Sequence, residues 1–154
     1  MDSDFFPEAR RTVLYVEDHP VNIMLMRALF EHRPDLHLVV VENGQQALCL
    51  APRLQPALLL LDLNLPDCHG SVLLPLLRQL PTCEDTPAVA VTADATFDIT
   101  GTGFAELWSK PLHAGRMLQR LQCYLPADNG PVPLPPTPAL LRSYFGEVGG
   151  RVNG

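Results

Sequence analysis

The sequence feature that most limits the possible folds is a run of four leucines, residues 58–61, which ends in Asp62. Pro56 precedes the run and Pro66 follows it, so the apolar stretch has the length of a strand and is far too short to span a membrane. A short apolar run between turn-forming residues is typical of a strand buried on both faces, as in a parallel sheet. The carboxyl ends of parallel strands border the crevice in which ligands bind. Asp62 is therefore predicted at that edge, although an isolated Asp there is more often a helix cap or a turn residue.

The rest of the chain alternates between strand and helix patterns. Runs of β-branched and apolar residues predict strands at 12–16, 36–41, 57–61, 87–91 and 105–108. Helical spacing of apolar residues predicts helices at 20–31, at 44–50 or 44–54, at 72–80 and at 112–125. Pro75 either kinks the third of these helices or marks its first turn. Residues 93–104 are poor in helix formers and predict only a short, atypical helix between strands four and five. Repeated βα units predict an α/β fold, a doubly wound parallel sheet with helices on both faces.

Composition sets the domain organisation and excludes several classes of function. The 154 residues are 47% apolar, which fits one domain at 12–125, preceded by an arm at 1–11. Six prolines between 126 and 138 predict an extended linker within a C-terminal tail at 126–154, with a short amphipathic helix at 138–145. The net charge of -6 argues against a nucleic-acid partner. Neither a signal peptide nor a stretch that could insert into a membrane is expected, and four scattered cysteines fit a reducing, cytoplasmic location.

Polar residues follow four of the five predicted strands: Glu17 and Asp18, then Asp62, Thr92 and Lys110. Parallel strands bring these ends to the same edge of the sheet. Three acids held close together favour a hard cation such as Mg²⁺, which prefers oxygen ligands. Lys110 can supply a positive charge and Thr92 a hydroxyl donor to a transferring phosphoryl group. The mixture predicts phosphoryl transfer to a carboxylate, with Asp62 as the nucleophile.

These residues resemble the receiver domains of two-component response regulators over about residues 12–125. The resemblance is carried by five segments in order: the first strand with Glu17, Asp18, Pro20 and Asn22, the leucine-rich strand into Asp62, Pro66 with Gly70, Thr92-Ala93, and Lys110-Pro111. The opening segment is most similar to the receivers of hybrid histidine kinases. The resemblance implies a flavodoxin-like sheet of strand order 2-1-3-4-5.

The resemblance also implies roles for individual residues. Asp62 matches the phosphoacceptor, and Thr92 and Lys110 match the conserved hydroxyl and lysine that contact the phosphoryl group. The Mg²⁺ site implied by the resemblance consists of Asp18 as a direct ligand, Glu17 acting through water, Asp62, and the backbone carbonyl of Asn64. The Lys110–Pro111 peptide bond is expected to be cis. The implied phosphodonor is a sensor histidine kinase or a histidine phosphotransfer protein, and the output is expected to be protein contact.

Two departures from the family pattern affect the expected output. Lys110 follows Thr92 by 18 positions, which is about one helical turn less than is usual in the family. Leu107 stands three positions before Lys110, where the family usually has a Tyr or Phe that moves on phosphorylation. Trp108 is adjacent but is predicted to point to the opposite side of its strand. Phosphorylation is therefore expected to change residues 93–108 only weakly, and partner recognition is expected to depend more on the first helix.

Two alternatives come from other classes of function. A degenerate receiver would bind a partner without being phosphorylated, but the set of site residues is intact. A phosphatase would use Asp62 as a turnover nucleophile. Such enzymes usually have a second acid two residues after the nucleophile, where this chain has Asn64. The sequence therefore predicts a phosphoacceptor domain rather than an enzyme with turnover.

Overall fold

The structure, a computed structural model, describes residues 10–127. Five strands and four α-helices alternate along this part of the chain, with one short 3₁₀ helix before the fourth strand. The strands are β1 (Arg11–Val16), β2 (Leu36–Val41), β3 (Leu58–Asp62), β4 (Ala88–Thr92) and β5 (Glu106–Ser109). The helices are α1 (Pro20–Phe30), α2 (Gly44–Leu54), α3 (Gly70–Arg78) and α4 (Ala114–Tyr124), and the 3₁₀ helix is Pro81–Cys83. The predicted arm at 1–11 lies outside the described residues except for Arg10 and Arg11, and the predicted tail lies outside them from residue 128 onwards.

The five strands form one parallel sheet in the order β2-β1-β3-β4-β5. This confirms the predicted doubly wound, flavodoxin-like fold. Strand β3 lies at the centre, and all five of its residues are buried. The leucine run is apolar at every position because both faces of a central parallel strand are covered by helices.

Successive leucines of β3 contribute to two separate cores. Leu59 and Leu61 pack on the face covered by α2 and α3, whereas Leu58 and Leu60 pack on the face covered by α1 and α4. This alternation follows from the two-residue period of a strand. The result is a rigid central strand that ends at Asp62.

Side-chain hydrogen bonds cap the starts of α2 and α3. Asn43 caps α2 by accepting the backbone N–H of Gln46, and His69 caps α3 by accepting the N–H of Ser71. The His69 cap starts α3 two residues earlier than the predicted boundary. Helix α3 is continuous across Pro75, which lies beyond its first turn and inside the helix.

The prediction of a short helix between β4 and β5 is wrong. Residues 93–105, all within the described part of the chain, form turns and no helix. Asp94 Oδ1 accepts hydrogen bonds from the backbone N–H and the hydroxyl of Thr96, and Asp98 Oδ1 accepts the N–H of Thr100. Such local side-chain bonds compete with helical hydrogen bonding. Gly101 then adopts a φ of 77°, in the left-handed region that interrupts a helix.

Two further expectations concern cysteines and membranes. Cys49, Cys68, Cys83 and Cys123 are all free thiols, as their spacing predicts. Among residues 10–127, no helix is both long enough and apolar enough to cross a membrane.

Candidate phosphoacceptor site

The first part of the site is the acidic pair that follows β1. Glu17 is 1% exposed, whereas Asp18 is exposed to solvent. Four donors surround the Glu17 carboxylate. Oε1 accepts hydrogen bonds from the Tyr15 hydroxyl at 3.0 Å and from Lys110 Nζ at 2.7 Å, and Oε2 accepts the His19 backbone N–H at 3.1 Å and Asn22 Nδ2 at 3.3 Å. The orientation of this carboxylate is therefore set by groups of the protein.

The second part is Asp62 at the end of β3. Its side chain is nearly buried, with Oδ1 accepting the backbone N–H of Asn64 at 3.2 Å and Oδ2 lying 3.4 Å from Lys110 Nζ. Gly70 lets the start of α3 lie against this strand end, because a Cβ there would come within 2.6 Å of the Asp62 carbonyl oxygen. The acidic side chain is thus held at the sheet edge by β3 beneath it and α3 beside it.

The third part comes from β4 and β5. Thr92 is fully buried, and its Oγ1 accepts the backbone N–H of Asp94 at 3.1 Å. The backbone N–H of Lys110 donates to the Thr92 carbonyl at 2.8 Å, so pairing of the two strands fixes the hydroxyl and the lysine relative to each other. The Lys110–Pro111 peptide bond is cis, as expected from the family resemblance.

Burial and neighbouring charges shift the pKa values of the two buried carboxylates in opposite directions. Burial, with the negative charge of Glu17, raises the pKa of Asp62, although Lys110 and the Asn64 N–H act against this shift. Burial would also raise the pKa of Glu17, but the hydrogen bond and charge of Lys110, with donors from His19 and Asn22, outweigh it and lower that pKa. At neutral pH, Lys110 therefore stabilises the anionic form of Glu17 more effectively than that of Asp62.

Three carboxylates converge at a position where a cation can bind. Glu17, Asp18 and Asp62 each place one oxygen so that all three oxygens lie within 4.8 Å of one another. Oxygen donors of this kind suit Mg²⁺, which is usually held by one or two carboxylates together with water and phosphate oxygens. Asp18 is the most available of the three, because it is exposed while Glu17 is already bonded to four donors.

Comparison with known proteins identifies the family. The family model described as the response regulator receiver domain matches residues 13–122, most of the chain. The chain belongs to this family. The arrangement of strand ends described above is thus the active-site edge of a receiver domain, with an acidic cluster that suits a Mg²⁺-dependent phosphoacceptor site.

Two relatives show the kinds of protein in which similar domains occur. The signal transduction histidine-protein kinase BarA of Escherichia coli K12 is 34% identical over 121 residues, which are 76% of this chain and 13% of BarA. The polar-differentiation response regulator DivK of Brucella anthropi is 31% identical over 119 residues, which are 75% of this chain and 96% of DivK. This receiver domain is therefore similar to one segment of a much longer kinase and to nearly the whole of a small regulator.

Solved structures agree with the fold. The receiver domain of the sensor histidine kinase PA1611 from Pseudomonas aeruginosa PAO1, solved with a magnesium ion in its active-site cleft, matches with a TM-score of 0.68 and 26% identity, covering 75% of this chain and 98% of that one. The chemotaxis response regulator CheY4 of Vibrio cholerae matches in fold with a TM-score of 0.65 and 19% identity, covering 76% of this chain and all of that one.

The structure brings most of the predicted site residues together. Glu17, Asp18, Asp62 and Lys110 converge as the strand order requires. Asn64 contacts Asp62 through its backbone N–H, and the role of its carbonyl in metal binding stays a prediction.

Within residues 10–127, neither Thr92, at the end of β4, nor a side chain of β5 forms a hydrogen bond with the three carboxylates. The Thr92 hydroxyl is bonded to Asp94. Leu107 packs on the α2 and α3 side of the sheet and Trp108 on the α1 and α4 side, as the strand alternation predicts.

Tyr15 is a member of the site that the sequence patterns do not identify. The pattern at 12–16 predicts only a strand, yet the Tyr15 hydroxyl donates a hydrogen bond to Glu17. The available signal was strand alternation, since residues two apart project to the same face. A polar atom on the residue two positions before Glu17 could have been considered as its partner.

Proposed function

We propose that Asp62 accepts a phosphoryl group from the phosphohistidine of a sensor kinase or of a histidine phosphotransfer protein. The observation that carries this proposal is the position of Asp62, at the end of the buried central strand beside two further acids and Lys110. The acids supply cation ligands, and the lysine supplies a positive charge close to the attacking oxygen. Three acids and a lysine within a few ångströms are suited to phosphoryl transfer because positioning and charge neutralisation dominate its catalysis.

The transfer itself moves one phosphoryl group between two side chains. An Asp62 carboxylate oxygen forms the new O–P bond, the P–N bond of the donor breaks, and its electron pair returns to the imidazole nitrogen. Mg²⁺ bound by Asp18, Asp62 and the Asn64 carbonyl, with Glu17 acting through water, would neutralise charge on the phosphoryl oxygens. Lys110 lies 3.4 Å from Asp62 Oδ2 and can bond to a phosphoryl oxygen after a small movement.

Thr92 is suited to donate the remaining hydrogen bond. Its oxygen accepts the N–H of Asp94, which leaves the hydroxyl proton available to a new acceptor. A phosphoryl oxygen on Asp62 would be such an acceptor, since β3 and β4 are neighbours and Asp62 is paired with Val91. This geometry supports a contact between Thr92 and the phosphorylated side chain.

The phosphodonor is proposed to dock on α1. Val21 and Met24 are 48% and 43% exposed, although both are apolar, and they lie on α1, three and six positions after Asp18. An apolar surface beside the acceptor suits a helical histidine phosphotransfer domain, which must bring its phosphohistidine to Asp62. The output is proposed to be protein contact in the cytoplasm, without nucleic acid or membrane insertion.

We also propose that the domain is phosphorylated without acting as a turnover hydrolase. The residue two positions after Asp62 is Asn64, whose side chain cannot serve as a general acid or base. A relative that is an enzyme, a protein-glutamate methylesterase of Methanospirillum hungatei, matches this chain over only 59 residues.

Intact-mass spectrometry after incubation with phosphoramidate and Mg²⁺ tests the acceptor directly. The unmodified domain is expected to gain one phosphoryl group, and Asp62→Asn is expected to gain none while retaining its fold. Asp85→Asn, which changes an exposed Asp before the start of β4, at the opposite end of that strand from Thr92, serves as the control and is expected to be labelled normally. Labelling that persists in Asp62→Asn would show that another residue is the acceptor.

A further inference from the structure

Tyr15 is a buried residue whose polar atom points into the site. Its side chain is completely buried within the core on the α1 and α4 side of the sheet. Its hydroxyl nevertheless donates a hydrogen bond to Glu17 Oε1 at 3.0 Å. Burying a hydroxyl is unfavourable unless it is hydrogen-bonded. The Tyr15–Glu17 hydrogen bond therefore offsets the cost of placing this hydroxyl in the core.

The same oxygen of Glu17 also holds the catalytic lysine. Lys110 Nζ lies 2.7 Å from Oε1 and 3.4 Å from Asp62 Oδ2, so the ammonium group lies between the two carboxylates and closer to Glu17. Phosphorylation of Asp62 requires this ammonium group to move towards the phosphoryl oxygens. The strength of the Lys110–Glu17 contact therefore affects how readily Lys110 can assist the transfer.

Tyr15 competes with Lys110 for that oxygen. A second donor on a carboxylate oxygen reduces the negative charge that the oxygen offers to the first. The Glu17 carboxylate cannot avoid this sharing by rotating, because its other oxygen is held by the His19 N–H and by Asn22. The hydroxyl thus weakens the attraction between Glu17 Oε1 and Lys110, although the two groups remain at hydrogen-bond distance.

We propose that Tyr15 is a positioning residue for phosphoryl transfer, which shares Glu17 Oε1 with Lys110 and so keeps the lysine available to Asp62. This inference rests on the proposed phosphorylation of Asp62. The Tyr15 hydroxyl donates its hydrogen bond to Glu17, so Tyr15 acts through Glu17 and Lys110. Tyr15→Phe removes the hydroxyl and keeps the ring, so the apolar packing is preserved.

A spectroscopic test reports on the contact without any phosphorylation. Lys110 is the chain's only lysine, so protein labelled with ¹⁵N-lysine gives a single side-chain ammonium signal. In Tyr15→Phe we expect the proton shift of this signal to move downfield, because the lysine then has Glu17 Oε1 to itself. Tyr124→Phe, on α4, is the matched control and is expected to leave the signal unchanged. A Lys110 signal that is the same in Tyr15→Phe and the unmodified domain would overturn the proposal.

A kinetic test separates positioning from a general loosening of the core. With phosphoramidate at saturating Mg²⁺, Tyr15→Phe is expected to slow phosphorylation about threefold to tenfold, the net effect of one ordinary hydrogen bond, because Tyr15 acts only indirectly through Glu17 and Lys110. In a Lys110→Ala background, adding Tyr15→Phe is expected to have no further effect, because the residue through which it acts is gone. An equal slowing in both backgrounds would assign Tyr15 a structural role and overturn the proposal.

Two measurements keep the result interpretable. In the unmodified domain, the Tyr15 hydroxyl proton is expected to be protected from exchange with solvent, and its NMR signal is expected to shift in Lys110→Ala. This measurement does not need the Tyr15→Phe variant to fold, and absence of the protected signal would overturn the proposal. Failure of the proposed function would look different, since neither the unmodified domain nor any variant would be labelled while the ammonium signal still responded to Tyr15→Phe.

Discussion

Asp62 and Glu17 are both buried carboxylates beside Lys110, but their pKa values are shifted in opposite directions. Lys110 Nζ is 2.7 Å from Glu17 and 3.4 Å from Asp62, and three further donors from the protein contact Glu17. Among residues 10–127, the groups that contact the Asp62 carboxylate as donors are the Asn64 N–H and the lysine. Glu17 is therefore a stable anion that anchors Lys110, whereas Asp62 is an anion held at a cost in folding free energy and is better placed to react.

The raised pKa of Asp62 predicts how its replacement changes stability with pH. Without divalent cations, Asp62→Asn is expected to raise the free energy of unfolding at pH 7 by about 1 kcal/mol or more, because it removes a buried charge that also lies close to the charge of Glu17. A carboxyl whose pKa is raised by folding destabilises the fold when ionised, and this cost disappears as the pH falls through the folded-state pKa towards the unfolded value, roughly 3.9. Urea unfolding at several pH values measures the difference. A variant less stable than the unmodified domain at pH 7 would contradict the pKa direction.

The different exposure of the acidic pair predicts unequal effects on metal binding. Asp18→Asn is expected to weaken Mg²⁺ affinity about tenfold or more, because Asp18 is exposed and offers free oxygen atoms. Glu17→Gln is expected to weaken it less, because the Glu17 oxygens are already bonded to groups of the protein. Isothermal titration calorimetry compares the two, with Glu31→Gln, an exposed residue after α1, as the control. Equal affinities in all four proteins would show that the acidic cluster is not the metal site.

The segment between β4 and β5, residues 93–105, is the element that departs most from the sequence-based expectation. It forms turns held by the side chains of Asp94 and Asp98, and Phe97 and Phe104 pack on the core that contains α2 and α3. The Phe97 ring also lies 5.7 Å from the His69 ring at the start of α3. The segment is attached to the domain by local hydrogen bonds, by the buried ring of Phe104 and by the partly buried ring of Phe97, rather than by a helix.

This arrangement predicts a weak conformational response between β4 and β5. A switch requires two alternative packings, and Leu107 has no ring or hydroxyl with which to make a second one. Hydrogen exchange with and without beryllofluoride, a phosphoryl mimic, is therefore expected to show larger changes in protection at residues 18–27 than at residues 93–108. The reverse order would show that the segment responds without the usual aromatic residue.

At the opposite edge of the sheet, arginines connect the chain's last described residues to the domain. Arg33 is buried, forms a bidentate pair with Asp35, and donates to the Leu125 carbonyl at 2.6 Å. Arg11 donates to the Pro126 carbonyl at 2.5 Å. These contacts hold the end of α4 against the starts of β1 and β2. The end of the last helix is therefore attached to the sheet by residues that precede residue 128.

Because Arg11 and Arg33 already attach the end of α4 to the sheet, we expect the tail after residue 127 to contribute little to the stability of the domain. Deleting residues 128–154 is expected to change the melting temperature by less than about 4 °C, since a larger shift corresponds to 1 kcal/mol or more for a domain of this size. Calorimetry on the truncated and full chains measures this, and a truncation that also removes Leu125 serves as a destabilised comparison. A large loss on removing only residues 128–154 would show that Leu140, Leu141, Tyr144 or Phe145 packs on the domain.

Most of the fold and the membership of the site were predictable because they depend on local patterns. A two-residue period places alternate leucines of β3 in two cores, and an apolar run that stops at Asp62 marks the end of a strand. Once five strands are parallel, their ends share an edge, so Glu17, Asp62 and Lys110 must approach each other. None of these steps requires knowledge of a side-chain contact.

The contacts within the site could not be read from the sequence, because they depend on distances between residues far apart in the chain. Lys110 could have paired mainly with Asp62, but strand register and side-chain length place its ammonium group nearer to Glu17. The Tyr15 hydroxyl and the turns at residues 93–105 likewise result from competition among several hydrogen-bond partners. Periodicity specifies which face or edge a residue occupies, whereas the choice among nearby donors and acceptors is made only when the packed chain brings them within about 3 Å of one another.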